Sequence, residues 1–249
     1  MYDVIYKSIC YNLGGMKKQV LFEKKEGKNR IQVADTFMYG EPVRICFYNG
    51  YMQSGIYLDE EMKDELLFPY MRCFSYAFTI KKDIRNVLLI GGGTFSYPRY
   101  FLDHYRRAHL TVVEMNQDMI DLSTSYFGMD DLDIEEKSNL SVICDDAFSW
   151  LEKTDQKFDW IINDAFSGNE MIGRNKKSLD LIVSHLYEDG IYMENMVSTM
   201  KGPFAKALVK EEELLDRYFI NVEKMQCDDS MHVLARQNIL ITCYGREKQ

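Results

Sequence analysis

Apolar positions along the chain change their period as it advances. Over Gln19–Lys24, Arg30–Ala34, Val43–Phe47 and Tyr51–Leu58 they form short runs, broken by Glu26-Gly27-Lys28-Asn29 and by Asn49-Gly50. Asn-Gly accepts the positive φ that a two-residue hairpin turn requires. Residues 1–59 therefore read as a small antiparallel β module. From Glu60 to about Thr79 the spacing of Met62, Leu66, Leu67, Tyr70, Met71 and Phe74 becomes three and four residues, which predicts a connecting helix over residues 60–82.

Residues 83–249 then alternate. Strands are predicted at Asn86–Ile90, Leu110–Glu114, Leu140–Cys144, Phe158–Asn163 and Gly190–Met196. Between them come helices at Pro98–Tyr105, Gln117–Tyr126, Asp146–Glu152 and Ser178–Leu186. Apolar strands separated by amphipathic helices predict a Rossmann-like α/β domain whose parallel sheet is covered on both faces. After a helix at Pro203–Tyr218, two strands, Ile220–Gln226 and His232–Tyr244, lie close enough to pair antiparallel at the sheet edge. This ending suits a methyltransferase-type sheet better than a dehydrogenase.

Composition narrows the function classes. The 249 residues are 46% hydrophobic and 28% charged, with a formal net charge of −9. That balance disfavours bulk attraction to nucleic acid or to an anionic membrane, and suits a cationic small molecule. No apolar run approaches the roughly 20 residues of a membrane span, and Met1-Tyr2-Asp3-Val4 does not open a signal peptide. Cys10, Cys46, Cys73, Cys144, Cys227 and Cys243 form no C-x-x-C pair and read as buried free thiols of a cytoplasmic protein. His104, His109, His185 and His232 lack metal-ligand spacing, so no metal is expected.

The chemistry-bearing residues sit at predicted strand ends. Gly91-Gly92-Gly93-Thr94 separates a strand from a helix with Pro98 in its first turn. Glycines there let the backbone turn sharply and approach a ligand, and the helix start offers N–H groups. Glu114 ends the next strand, about 20 residues further on, where an acid can accept from ribose hydroxyls. Position 96 is Ser, which departs from the dinucleotide G-x-G-x-x-G pattern. Asp145-Asp146 could receive an adenine amino group or simply cap the helix from Ala147. Asp164 ends the fourth strand, on the side where ligands bind open α/β sheets, and could orient or deprotonate an acceptor. Tyr97, Tyr100 and Phe101 could wall a pocket but read more simply as core.

Taken in order, Asn49-Gly50-Tyr51-Met52-Gln53, Val87–Gly93, Val112-Val113-Glu114, Leu140–Phe148 and Phe158–Asp164 resemble the spermidine synthase (polyamine aminopropyltransferase) family. The resemblance runs from about Asn49 to Asn195. It implies a class I S-adenosylmethionine-dependent methyltransferase-like sheet with an antiparallel C-terminal strand, preceded by the small β module. It also implies cofactor contacts from Gln53, Gly91, Gly92, Gly93 and Thr94, ribose recognition by Glu114, an adenine site at Asp146 and Ala147, and Asp164 as the catalytic residue. The co-substrate would be S-adenosylmethionine or its decarboxylated form, the partner a small-molecule acceptor such as an amine. A homodimer is compatible with this reading.

The sequence departs from that family at three places. Thr94-Phe95 stands where the family reads Asp-Gly after its three glycines, Ser167 replaces the second acid of the substrate loop, and the Tyr-His-Glu stretch is missing near Met62-Lys63-Asp64. An ion pair at about 4 Å with an effective dielectric near 20 is worth about 4 kcal/mol before desolvation. A net loss of about 1–2 kcal/mol per carboxylate lowers affinity about five- to thirty-fold. The expectation is a sulfonium-dependent transferase that is a poor putrescine aminopropyltransferase, with methyl transfer the chemistry the missing acids favour. A true polyamine aminopropyltransferase and a non-catalytic nucleoside-binding protein are the alternatives.

Overall fold

Four strands open the described chain: β1 (Gln19–Glu26), β2 (Asn29–Met38), β3 (Glu41–Tyr48) and β4 (Tyr51–Tyr57), paired antiparallel in the order β1-β2-β3-β4. The computed structural model describes residues 18–167 and 170–246. The Asn49-Gly50 turn forms as its sequence requires, with φ of 51° and 84°. Tyr39-Gly40 makes a second turn of this kind, φ 56° and 90°, although a tyrosine gives no such signal in the sequence.

The described residues fall into two compact units. The first holds the chain up to Phe68 with Gly93–Tyr100 and Asp118–Leu132. Its core joins Ile31, Val33 and Cys46 of the sheet to Met119, Leu122 and Phe127. Arg44 bonds both oxygens of Asp35 at 2.7 and 3.0 Å and donates to the Tyr126 carbonyl at 3.0 Å.

The predicted helix over Glu60–Thr79 forms only in its second half. Residues 60–64 are turn, with the Asp59 side chain accepting from Glu61 N–H at 2.8 Å. Helix begins at Pro69: α1 (Pro69–Cys73), a 3-10 turn (Phe74–Tyr76) and α2 (Ala77–Ile80). A residue before proline is pushed out of the helical region and proline has no N–H to give, so the helix starts at Pro69 and does not run through it. Leu66 and Leu67 are buried all the same, and Leu67 fills the space that a Cβ on Gly55 would need, 2.5 Å from its Cδ2.

The second unit holds Pro69–Gly92, Phe101–Gln117 and the described chain from Asp133 on. Its seven strands lie in the order β12-β13-β11-β8-β5-β6-β7: β5 (Asn86–Ile90), β6 (His109–Val113), β7 (Leu140–Ile143), β8 (Phe158–Asn163), β11 (Leu186–Ser198), β12 (Phe219–Gln226) and β13 (Gln237–Arg246). Two short strands, β9 (Phe166–Ser167) and β10 (Glu170–Met171), form a separate antiparallel pair. The strands from β7 to β11 are parallel, and β13 runs antiparallel between β11 and β12. This is the methyltransferase-type sheet that the resemblance implies. The two C-terminal strands pair antiparallel at the sheet edge as expected, with β12 outermost. β13 contributes Ile239, Leu240, Ile241 and Cys243, all essentially inaccessible, and its continuous apolar run demands neighbours on both sides.

Helices α3 (Ser96–His104), α4 (Gln117–Tyr126), α5 (Ile134–Ser138), α6 (Ala147–Leu151), α7 (Lys176–His185) and α8 (Lys206–Leu215) link the strands. Asp133 and Glu136 form a reciprocal capping box that starts α5, a helix the hydrophobic pattern did not reveal. Under α8 lies a buried charged group. Arg174 bonds Glu211 at 2.9 Å, and Tyr192 donates to Glu194 at 2.8 Å. Burial raises the carboxyl pKa of both Glu194 and Glu211, and the proximity of Glu211 pushes Glu194 further.

The expectation of uniformly buried cysteines holds for Cys46 and Cys243 only. Cys73 and Cys227 are half-buried and Cys144 is exposed, because it follows β7, the edge of the parallel sheet. Cys10 lies outside the described residues. No described helix is long and apolar enough to cross a membrane.

Candidate active site

The parallel register places the candidate residues on one edge of the sheet. Ile143 pairs with Val113, Val113 with Ile90, and Ile90 with Asn163. The residues that follow these four positions therefore leave the same edge: Asp145 and Asp146 after β7, Glu114 after β6, Gly91 and Gly92 after β5, Asp164 after β8. At about 4.8 Å per strand, the outer two are about 14 Å apart along the edge.

Gly91 donates to the Val113 carbonyl at 2.9 Å and has φ of 86°. A Cβ there would lie 2.9 Å from both the Asp164 carbonyl oxygen and Ala165 Cα, so only glycine lets the turn meet that segment. Asp164 N–H in turn donates to the Ile90 carbonyl at 2.9 Å. The turn after β5 and the catalytic candidate after β8 are thus held by backbone.

Glu114 is buried, with each carboxylate oxygen receiving an N–H: Oε2 from Gly92 at 3.0 Å and Oε1 from Asn116 at 2.9 Å. The acid fixes the glycine turn as well as ending its strand. A carboxylate oxygen has a second lone pair, so ribose hydroxyls can still donate to it.

Asp146 is exposed and caps α6 by accepting from Ser149 N–H at 2.8 Å, while Asp145 accepts from Asp146 N–H at 2.8 Å. The capping role weighed from sequence is realised, and it uses Asp146 Oδ1 only. Ala147 is buried at the first position of α6.

Asp164 has the most perturbed environment of these residues. Oδ1 accepts from Asn195 Nδ2 at 2.8 Å, and Oδ2 from the Tyr70 hydroxyl at 3.0 Å. Both donors favour the carboxylate, yet removal of the carboxyl from water outweighs them and raises its pKa to about 7. The residue as a whole keeps a partial opening to solvent. Asn195 Oδ1 is buried and accepts no hydrogen bond among the described residues.

Tyr70 and Asn195 were not singled out from the sequence. Tyr70 looked like one more position in the apolar stripe of the helix. Asn195 did carry a signal, a polar residue near the carboxyl end of an otherwise apolar parallel strand.

Gln53, Gly93 and Thr94 belong to the first unit. Gln53 Nε2 reaches the Met52 carbonyl at 3.5 Å. Gly93 has φ of 53°, and a Cβ on it would collide with Ser54 Oγ. Thr94 donates its N–H to the same Ser54 Oγ at 2.9 Å. Its side chain is wholly enclosed, and Oγ1 has no hydrogen-bond partner among the described residues. Thr94, expected as a cofactor contact, thus has its N–H on Ser54 and its hydroxyl enclosed. The left-handed Phe95, φ 65°, delays the helix to Ser96.

Comparison with known proteins bears on the fold and the family. A polyamine aminopropyltransferase of Buchnera aphidicola (Schizaphis graminum) is 28% identical over 169 residues, 68% of this chain and 54% of that protein. The chain thus spans about half the length of that relative. A probable spermidine synthase from Corynebacterium glutamicum superposes with a TM-score of 0.74 at 23% identity, covering 92% of this chain and 81% of the other. Human methyltransferase-like protein 13, solved with S-adenosylhomocysteine, gives 0.53 at 16% identity over 73% of this chain and 81% of its own; at such identities the likeness is one of fold. The spermine/spermidine synthase domain model matches residues 74–225, which include β5 to β11 and the strand ends carrying Gly91, Glu114, Asp146 and Asp164. By that match, over more than half of its length, the chain belongs to the spermine/spermidine synthase domain family.

Proposed function

We propose that the carboxyl edge of β7-β6-β5-β8 binds an adenosyl sulfonium, S-adenosylmethionine or its decarboxylated form, and that the protein transfers an alkyl group from it to an amine. Asp146 would receive the adenine amino group and Glu114 the ribose hydroxyls, with the Gly91-Gly92 backbone alongside. The edge is about 14 Å long, enough for a nucleoside with its tail to reach from Asp146 toward Asp164. A buried carbonyl oxygen on Asn195 without a donor, beside a carboxyl group, suits an N–H donor at that end.

The observation that carries the reading is the Asp164 carboxyl held near pH 7 between Tyr70 and Asn195. The acceptor nitrogen must be neutral to attack. Its lone pair forms a bond to the carbon on sulfur, the carbon–sulfur bond breaks, and a neutral thioether leaves. The nitrogen then sheds a proton, and a carboxylate with a pKa near the working pH is well matched to accept it. Holding the two reactants in line would supply most of the acceleration.

Methyl transfer is the chemistry favoured by a single acid flanked by two neutral donors, because the cationic propylamine tail of the decarboxylated ligand would find one carboxylate, half protonated near pH 7. Aminopropyl transfer is the second reading, supported by the family. Incubation with each nucleoside and a panel of amines tests both: S-adenosylhomocysteine release supports methyl transfer and methylthioadenosine release supports aminopropyl transfer. Binding without either product would leave a nucleoside-binding protein, and no binding of either nucleoside would overturn the proposal.

A further inference from the structure

Two cysteines that the proposed chemistry does not use meet near the helix that carries Tyr70, a partner of Asp164. Cys73 ends α1 and Cys227 follows β12, far apart in sequence. Cys73 Sγ lies 3.9 Å from the Cys227 carbonyl oxygen, while the Cys227 thiol lies 3.8 Å from the Met225 carbonyl oxygen. Both residues are partly open to solvent, unlike Cys46 and Cys243. Cys227 is close enough to Asp164 to feel its charge.

We infer that Cys73 and Cys227 form a site of reversible oxidation by hydroperoxides, closing to a disulfide that disturbs the Asp164 carboxyl. In the first step, with hydrogen peroxide as oxidant, the Cys73 thiolate attacks one peroxide oxygen, the oxygen–oxygen bond breaks, and the departing hydroxide takes up the proton the thiol released and leaves as water, with Cys73 as a sulfenic acid. In the second, Cys227 sulfur attacks Cys73 sulfur, the sulfur–oxygen bond breaks, and a second water leaves. One peroxide is reduced to two waters as two thiols become one disulfide.

The order of attack follows from the surroundings. The neighbouring Cys227 side chain favours a Cys73 thiolate and lowers its pKa, against burial and the nearby Asp229. Cys227 is pushed the other way, first by the neighbouring Cys73 side chain and then by burial. Cys73 is the attacking thiol and Cys227 the resolving one.

The link to Asp164 runs through α1. Tyr70 and Cys73 are three residues apart on this helix and share a face. A disulfide brings the sulfurs to about 2.05 Å, well inside hydrogen-bonding distance. Closing it draws the last turn of α1 toward Cys227 and pulls the Tyr70 hydroxyl from Asp164 Oδ2. Losing a donor to the carboxylate raises the Asp164 pKa further and leaves less carboxylate at neutral pH.

The test treats the full chain with a small excess of hydrogen peroxide, alkylates the remaining thiols and maps the unreduced peptides by mass spectrometry. The expected result is a Cys73–Cys227 cross-linked peptide that dithiothreitol abolishes. In Cys227→Ser, Cys73 should stop at a sulfenic acid trapped by dimedone; in Cys73→Ser, Cys227 should remain alkylatable. Cys73 and Cys227 still fully alkylated after peroxide, or wild-type Cys73 found chiefly as sulfinic acid, would overturn the site. The coupling has its own readout: denaturation across pH should show the midpoint of the Asp164-dependent loss of stability moved upward in the oxidised protein. An unmoved midpoint refutes the coupling. Neither measurement requires turnover, so failure of the transferase proposal would not mimic failure of this one.

Discussion

Replacing Asp164 with Asn should remove a specific pH dependence of stability. In the folded protein the carboxyl holds its proton up to about pH 7, whereas an unfolded aspartate releases it near 3.8. Between those values the native state binds a proton that the unfolded state has lost, so unfolding free energy falls as pH rises. The contribution is fully present below the unfolded pKa and lost as pH climbs through the folded one. One proton gives a slope of about 1.4 kcal/mol per pH unit, and about three units give a total on the order of 4 kcal/mol. Asn should fit: its carbonyl accepts from Asn195 Nδ2 where Oδ1 does, and its amide donates to Tyr70, whose hydroxyl can turn to accept. Urea denaturation of wild type and Asp164→Asn from pH 4 to 8 is the assay. The curves should meet near pH 4 and separate in favour of the mutant as pH rises, flattening above 7. Tyr70→Phe removes one donor to the carboxylate and should move the flattening to higher pH. Parallel profiles for wild type and Asp164→Asn would mean that Asp164 is an ordinary ionised acid, and the proton-acceptor argument would fall with it.

Gly91→Ala combines a left-handed φ with a Cβ 2.9 Å from backbone, so it should cost more than about 2 kcal/mol in thermal or urea unfolding; a loss under about 1 kcal/mol would show that the Asp164–Ala165 segment moves freely. Glu114→Gln leaves one acceptor for the Gly92 and Asn116 N–H groups and should weaken adenosine-nucleoside binding about tenfold in calorimetry, whereas unchanged affinity in a folded mutant removes Glu114 from the ribose site. Thr94→Val should be neutral or slightly stabilising, since the buried hydroxyl makes no hydrogen bond among the described residues; a loss of nucleoside affinity would instead restore the residue as a ligand contact. Arg174→Met leaves Glu211 buried without its cation and should cost about 3–5 kcal/mol, more at high pH than at low because the raised carboxyl pKa lets acid neutralise it, a trend that denaturation at pH 5 and 8 would reveal or refute.

Local chemistry determined much of this protein before any tertiary contact was known. Asn49-Gly50 allowed a left-handed pair and so fixed a hairpin. The apolar runs of β5, β6 and β8 could be satisfied only inside a parallel sheet. Once those strands were parallel, Gly91, Glu114, Asp146 and Asp164 had to leave one edge, because strand direction alone decides which ends meet. Other features depended on partners distant in sequence. Hydrophobic spacing continued through Leu66 and Leu67 although Pro69 prevents a helix there. The pattern of β13 shows that it is buried, but not that it lies between β11 and β12. The partner of the Thr94 N–H is Ser54, forty residues earlier, which no local pattern names. Above all, an aspartate is by its ordinary pKa ionised at neutral pH. Enclosure by protein, with Tyr70 and Asn195 as its donors, makes Asp164 an acid of about pKa 7, since desolvation depends on everything packed around a charge.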